Sequence, residues 1–184
     1  MRWMWIDRFL EFHAGRRAVA IKNVSIVEEQ MDDYLPGFPM MPSSLILEGI
    51  AQTSGLLVAE HGGFLERVVL AKVGKAVFHR AAVPGDRLTY TAEVEVFQPD
   101  GAICKCTSHI DGKLQAEVDL VFAHLDDRFA GTDLFKPDEL LQMIRTFRLY
   151  EVGCKADGTP LSIPPHMLAA EKAVLAGNTP AASN

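Results

Sequence analysis

Leu88, Tyr90, Ala92, Val94 and Val96 alternate with Thr89, Thr91, Glu93 and Glu95. That two-residue period belongs to a strand with one face buried and the other wet. The alternation returns at Leu114, Ala116, Val118, Leu120 and Phe122. Between the two runs lies Ala102 to Ile110, entered through Gln98-Pro99-Asp100-Gly101 and left through Asp111-Gly112, a strong hairpin signal. Val68 to Phe78 reads as a further strand, followed by the turn Val83-Pro84-Gly85-Asp86, and the β-branched run Ala18 to Ile26 reads as an earlier one.

Ser43 to Glu60 breaks this pattern. Leu45, Ile46, Leu47, Ile50, Ala51, Leu56, Leu57 and Val58 cover every face of a helix drawn over it, and a helix without a polar face belongs in the interior. Pro42 is expected at its first position, where no helical hydrogen bond is lost. His61-Gly62-Gly63 supplies C-capping glycines. Gly49 and Gly55 cost helix propensity but let neighbouring backbone come close. The order of strand, buried helix and long antiparallel strands predicts an α+β fold, a sheet wrapped around one central helix.

Past Leu125 the character changes. Asp126 to Thr132 is a polar connection, and Lys136-Pro137-Asp138-Glu139 starts a helix with acids in its first turn. Leu140, Leu141, Ile144 and Phe147 form its apolar stripe, and a second short helix is expected over Pro165 to Leu175. The chain thus divides into a domain over 1–125, a helical extension over 126–176 and a tail over 177–184 expected to be disordered. The pattern leaves two places for the first of these helices, over the mouth of a site or on the sheet.

Composition narrows the classes. At 184 residues, 48% of them hydrophobic, the chain suits one domain with an extension. A net charge of -6 lacks the basic footprint of nucleic-acid binding. Arg8, Arg16, Arg17 and Lys22 cluster early, either as solvated surface charge or as a contact for an acidic partner. Three cysteines give no disulfide framework, and Cys104 and Cys106 on one strand face read as half-buried reduced thiols of a cytoplasmic protein. No ligand spacing for a metal stands out. The apolar start Met1 to Ile6 meets Asp7 and Arg8 at once, too soon for a signal peptide or a membrane span.

Several motifs in order carry a resemblance. Ile6 to Glu11 and Ala20 to Ser25, then Pro36-Gly37-Phe38-Pro39-Met40-Met41-Pro42 and Leu45-Ile46-Leu47-Glu48-Gly49-Ile50-Ala51-Gln52, resemble the 3-hydroxyacyl-acyl-carrier-protein dehydratases. Val83 to Asp86 and Asp111 to Leu114 fall at similar turns, so the likeness covers the first two-thirds of the chain. The resemblance implies a hotdog fold, with a curled antiparallel sheet around a long central helix. It implies a homodimer or an oligomer of dimers, with an acyl tunnel at the interface. The substrate would ride on the phosphopantetheine of an acidic acyl carrier protein or of CoA, with no other cofactor. The family uses a histidine before the Pro-Gly turn and a glutamate on the central helix, and here these positions hold Tyr34 and Glu48. Its Pro-Gly before the helix is Pro42-Ser43, and the tail beyond Leu125 has no counterpart.

Dehydration of a 3-hydroxyacyl thioester needs a base at C2, an acid at the 3-hydroxyl and donors for the enolate oxygen. Glu48 among Leu45, Leu47 and Ile50 is a credible acid, since apolar surroundings favour the protonated carboxyl. Gln52 shares its helix face one turn on. Ser43 and Ser44 keep backbone N–H groups at the helix start, where no helical acceptor exists. Gly37, Pro42, Ser43, Ser44 and Gln52 are therefore the expected substrate-binding residues beside the catalytic pair Glu48 and Tyr34. A phenol with a pKa of about 10 is a poor base, so Tyr34 either donates a hydrogen bond or packs against the tunnel. The alternatives are a hotdog thioesterase, with Glu48 activating water, and a binding protein without turnover.

Overall fold

The computed structural model describes residues 3–33, 35–125 and 135–177. The alternating runs are long strands, β4 (Arg87–Gln98), β5 (Gly101–Ile110) and β6 (Lys113–His124). Before them come β1 (Arg8–His13), β2 (Arg17–Asn23), the short α1 (Gln30–Asp33), the central helix α2 (Ser43–His61) and β3 (Val68–Phe78). After them come α3 (Pro137–Thr146), α4 (Leu149–Val152), the two-residue β7 (Gly153–Cys154) and α5 (Pro165–Gly177). The strands form one sheet in the order β3-β6-β5-β4-β2-β1-β7, antiparallel except where β7 runs parallel to β1. The helix α2 packs against β2, β3, β4, β5 and β6. This is the curled sheet around a central helix of the hotdog fold.

Local chemistry explains the joints. Asp111 and Gly112 take φ of 50° and 73°, the left-handed pair that a two-residue hairpin needs to match strand twist. Ile46, Ile50 and Leu57 of α2 share one dry core with Leu88, Tyr90 and Leu120 of the sheet. Gly49 has no room for a side chain, because an added Cβ would lie 2.6 Å from the Trp5 carbonyl oxygen and 2.7 Å from the Tyr90 ring. A Cβ added at Gly55 would lie 3.3 Å from the Phe122 ring, a tight contact but a milder one.

Some boundaries differ from those predicted. Pro42 is the N-cap of α2, with φ -54° and ψ 135°, and the helix starts one residue later. The strand expected from Ala18 to Ile26 ends at Asn23, and Ile26 beyond it is exposed. β1 escaped the alternation rule because its register shifts between Phe9 and Glu11, so Phe9 and Phe12 both turn inward. Cys104 and Cys106 are fully buried rather than half-buried, and burial pushes the Cys104 thiol up to about 12.

The extension joins the same core. Leu141, Ile144, Phe147, Leu149 and Met167 are fully buried with the residues of the sheet. The Phe9 N–H donates to the Phe147 carbonyl at 2.8 Å, and the two rings meet edge to face with centroids 6.4 Å apart. β7 then covers the outer edge of β1, which would otherwise present unpaired backbone groups. The connection Asp126 to Thr132 and the tail past Gly177 lie outside the described residues. Among the described residues no helix is long and apolar enough to cross a membrane.

Candidate active site

One stripe of α2 carries Glu48, Ala51, Gln52, Gly55, Leu56 and Ala59, the three- and four-residue spacing of a single helix face. These residues line a cleft of about 640 Å³. Glu48 is half-buried at the N-terminal end of the stripe, and the Gln52 side-chain N–H donates to its Oε1 at 3.1 Å. The rest of the Gln52 amide holds the start of the chain. Its Nε2 also donates to the Trp3 carbonyl at 2.8 Å, and its Oε1 accepts from the Trp5 N–H at 2.8 Å. Gln52 is therefore a clamp between the catalytic candidate and the N-terminal segment, and Trp3 itself reaches the cleft wall.

Across from α2 stands the extension. Leu140, Met143 and Phe147, all on one face of the segment that begins with α3, line the same cleft, as does His166 at the start of α5. Of the two places open to α3, over a site or on the sheet, its half-buried face takes the first. The sequence signal was the breadth of the α3 pattern, where Leu140, Leu141, Met143, Ile144 and Phe147 cover more than one stripe. Leu141 and Ile144 enter the core, while Leu140 and Met143 stay half-buried on the cleft.

The remaining predicted residues sit elsewhere in the chain. Gly37, with φ 79°, forms an exposed turn in which the Phe38 N–H donates to the Leu35 carbonyl at 3.0 Å. Pro36 at the second position and glycine at the third suit that turn. Pro42 is buried, Ser43 half-buried and Ser44 exposed, and no side chain caps the helix they open. None of the four lines the cleft that holds Glu48. Tyr34 lies outside the described residues.

The histidines separate by surroundings. His13 Nδ1 lies 3.2 Å from the Cys154 thiol, and His61 stacks on Phe97 with centroids 4.2 Å apart. His79 pairs with Glu117 at 3.2 Å, drawing that exposed carboxyl below its ordinary range. His124 is largely buried, with Nδ1 3.1 Å from Glu66. His109 sits in β5, away from the cleft lining. His166 is the histidine that lines the cleft of Glu48.

Two of the four early cations are held within the chain. Arg17 pairs with Glu11 and Glu93, and Lys22 with Glu28 and Asp7, while Arg8 and Arg16 stay exposed. Among the described residues no group of three or more His, Cys, Asp or Glu side chains is placed to hold a metal ion.

Residues 2–122 match the family model described as a FabA-like domain. The 3-hydroxyacyl-[acyl-carrier-protein] dehydratase FabZ of Acetivibrio thermocellus is 39% identical over 127 residues, covering 67% of this chain and 86% of the relative. The protein of the same name from Actinobacillus pleuropneumoniae is 40% identical over 126 residues, 66% of this chain and 80% of the relative. Among solved structures, the dehydratase heterocomplex ApeI:P from Xenorhabdus doucetiae aligns with TM-score 0.58 at 13% identity, covering 77% of this chain and 90% of the other. The smu.793 protein of Streptococcus mutans, bound to acetyl CoA, aligns with TM-score 0.54 at 13% identity over 64% of this chain and 87% of the other. At such identities the structural matches speak for the fold.

Proposed function

The chain belongs to the FabA-like domain family, and from that premise we propose that it dehydrates a 3-hydroxyacyl thioester with Glu48 as the acid. The thioester is carried on the phosphopantetheine of an acyl carrier protein or of CoA, in the cytoplasm, as a step of fatty-acid or lipid synthesis. The observation that carries this reading is the cleft itself. A carboxyl fixed by Gln52 stands at one end of an α2 stripe whose other residues are small or apolar.

In this reading a base removes a proton from C2, and the C2–C3 double bond forms as the C3–oxygen bond breaks. Glu48 protonates the departing hydroxyl, which leaves as water. Tyr34, at the position of the family histidine, donates a hydrogen bond to the thioester or the hydroxyl. The imidazole that this chain brings to the cleft is His166, and we assign it the proton at C2. Pro42, Ser43, Ser44 and Gly37 serve the site of a second copy in a homodimer. Two features support the dimer. These residues lie off the cleft of their own chain, and β3 stands at the sheet edge with Leu70, Val73 and Val77 exposed.

Thioester hydrolysis is the second reading, favoured by a half-buried carboxylate on an open cleft with no histidine at position 34. One assay separates the two. Purified protein is given 3-hydroxybutyryl and crotonyl thioesters, and loss or gain of the double bond is followed beside release of free thiol. Dehydration without thiol release is expected. Glu48→Gln should slow it by roughly 10²- to 10⁴-fold, the usual contribution of a general acid. An unchanged rate in that variant would sink both enzymatic readings.

A further inference from the structure

Building on the dehydratase reading, we infer that the C-terminal extension is a wall of the acyl site and sets the length of acyl chain accepted. The matched family region ends at residue 122, and the extension lies beyond it. It nevertheless shares the cleft with Glu48. Ala51 and Ala59 follow Glu48 along α2 at small-residue size, and the Phe122 ring packed against Gly55 lines the same cleft. From residue 48 to residue 59 the helix rises about 16 Å, the reach of a medium or long aliphatic tail rather than an acetyl group.

The far side of that space is α3. Its two apolar faces have different fates: Leu141 and Ile144 are fully buried in the core, while Leu140 and Met143 remain half-buried beside α2. Phe147, buried and anchored to β1 through its carbonyl, fixes the end of this wall. An apolar face held at a distance from an apolar groove, by an anchor of this kind, leaves room for an apolar guest. The occupant is the aliphatic tail of the thioester whose reacting carbons sit at Glu48, because the groove is continuous with that carboxyl. Met143, flexible and central on α3, is the specificity-determining side chain.

The test uses the full chain and a series of 3-hydroxyacyl thioesters from butyryl to tetradecanoyl. Met143→Trp fills the cleft, and Leu140→Trp does so from the same face should the first variant fold poorly by circular dichroism. Either is expected to lower kcat/KM for the dodecanoyl and longer substrates by tenfold or more relative to the butyryl one. One methylene in an apolar pocket is worth roughly 10- to 200-fold in discrimination. An unchanged ratio across chain lengths would overturn the inference. Calorimetric binding of dodecanoyl-pantetheine to Glu48→Gln, with and without Met143→Trp, gives the same comparison without turnover. Weaker binding on adding Met143→Trp supports the wall, and equal binding overturns it. A protein that binds the long chain but dehydrates none of the series would instead remove the dehydratase reading and leave the wall standing.

Discussion

Glu48 and Gln52 stand one turn apart on α2, and their spacing in the sequence already placed them on one face. What the spacing does not give is the use of the Gln52 amide, whose contacts with Trp3 and Trp5 lie 49 and 47 residues away. Gln52 thus ties Glu48 to the N-terminal segment. The base raises the sharper question. A phenol with a pKa of about 10 takes up a C2 proton poorly at neutral pH, whereas an unperturbed imidazole titrates near 6.5. Tyr34→His is expected to raise the dehydration rate, and His166→Gln to lower it. In the double variant the His166→Gln loss should shrink, because the base would then come from position 34. Steady-state rates of the four proteins, arranged as a double-mutant cycle, check this. Independent effects would dissociate His166 from the reaction.

At the scale of elements, α2 was the most legible feature of the chain, since a helix apolar on every side has one place to go. Its glycines were legible in kind, and the structure supplies their partners. Gly49→Ala would drive a methyl into the Trp5 carbonyl and the Tyr90 ring. Overpacking of this sort costs about 1–3 kcal/mol, measurable as a lower midpoint in urea unfolding. Because the Trp5 carbonyl belongs to the segment that Gln52 clamps, the same variant should also loosen the support of Glu48. β1 was illegible for a physical reason. Its bulge places Phe9 and Phe12 on the same side at a spacing of three, so the strand carries no two-residue period. Long strands paired in regular register, such as β4 and β5, announce themselves, whereas a bulged edge strand is defined by what packs on it.

On the scale of the whole molecule, two edges of the sheet are treated differently. The β1 edge is covered by β7 from the extension, but β3 keeps an open edge with Leu70, Val73 and Val77 exposed. An uncovered edge strand of eleven residues with three exposed aliphatic side chains invites a second copy. Sedimentation equilibrium is expected to find a dimer, and Val73→Glu should shift it toward monomer by placing carboxylates at the seam. A dimer as tight as the parent's would move the interface elsewhere. The sequence by itself determined the α+β order, the central helix, the hairpins and the position of Glu48, because each rests on local periodicity, turn chemistry or motif. The tertiary structure alone decided that the extension faces Glu48, that His166 lines the same cleft and that Gln52 holds the N-terminal segment. Those contacts join residues dozens to more than a hundred positions apart, and no local pattern encodes a distance of that kind.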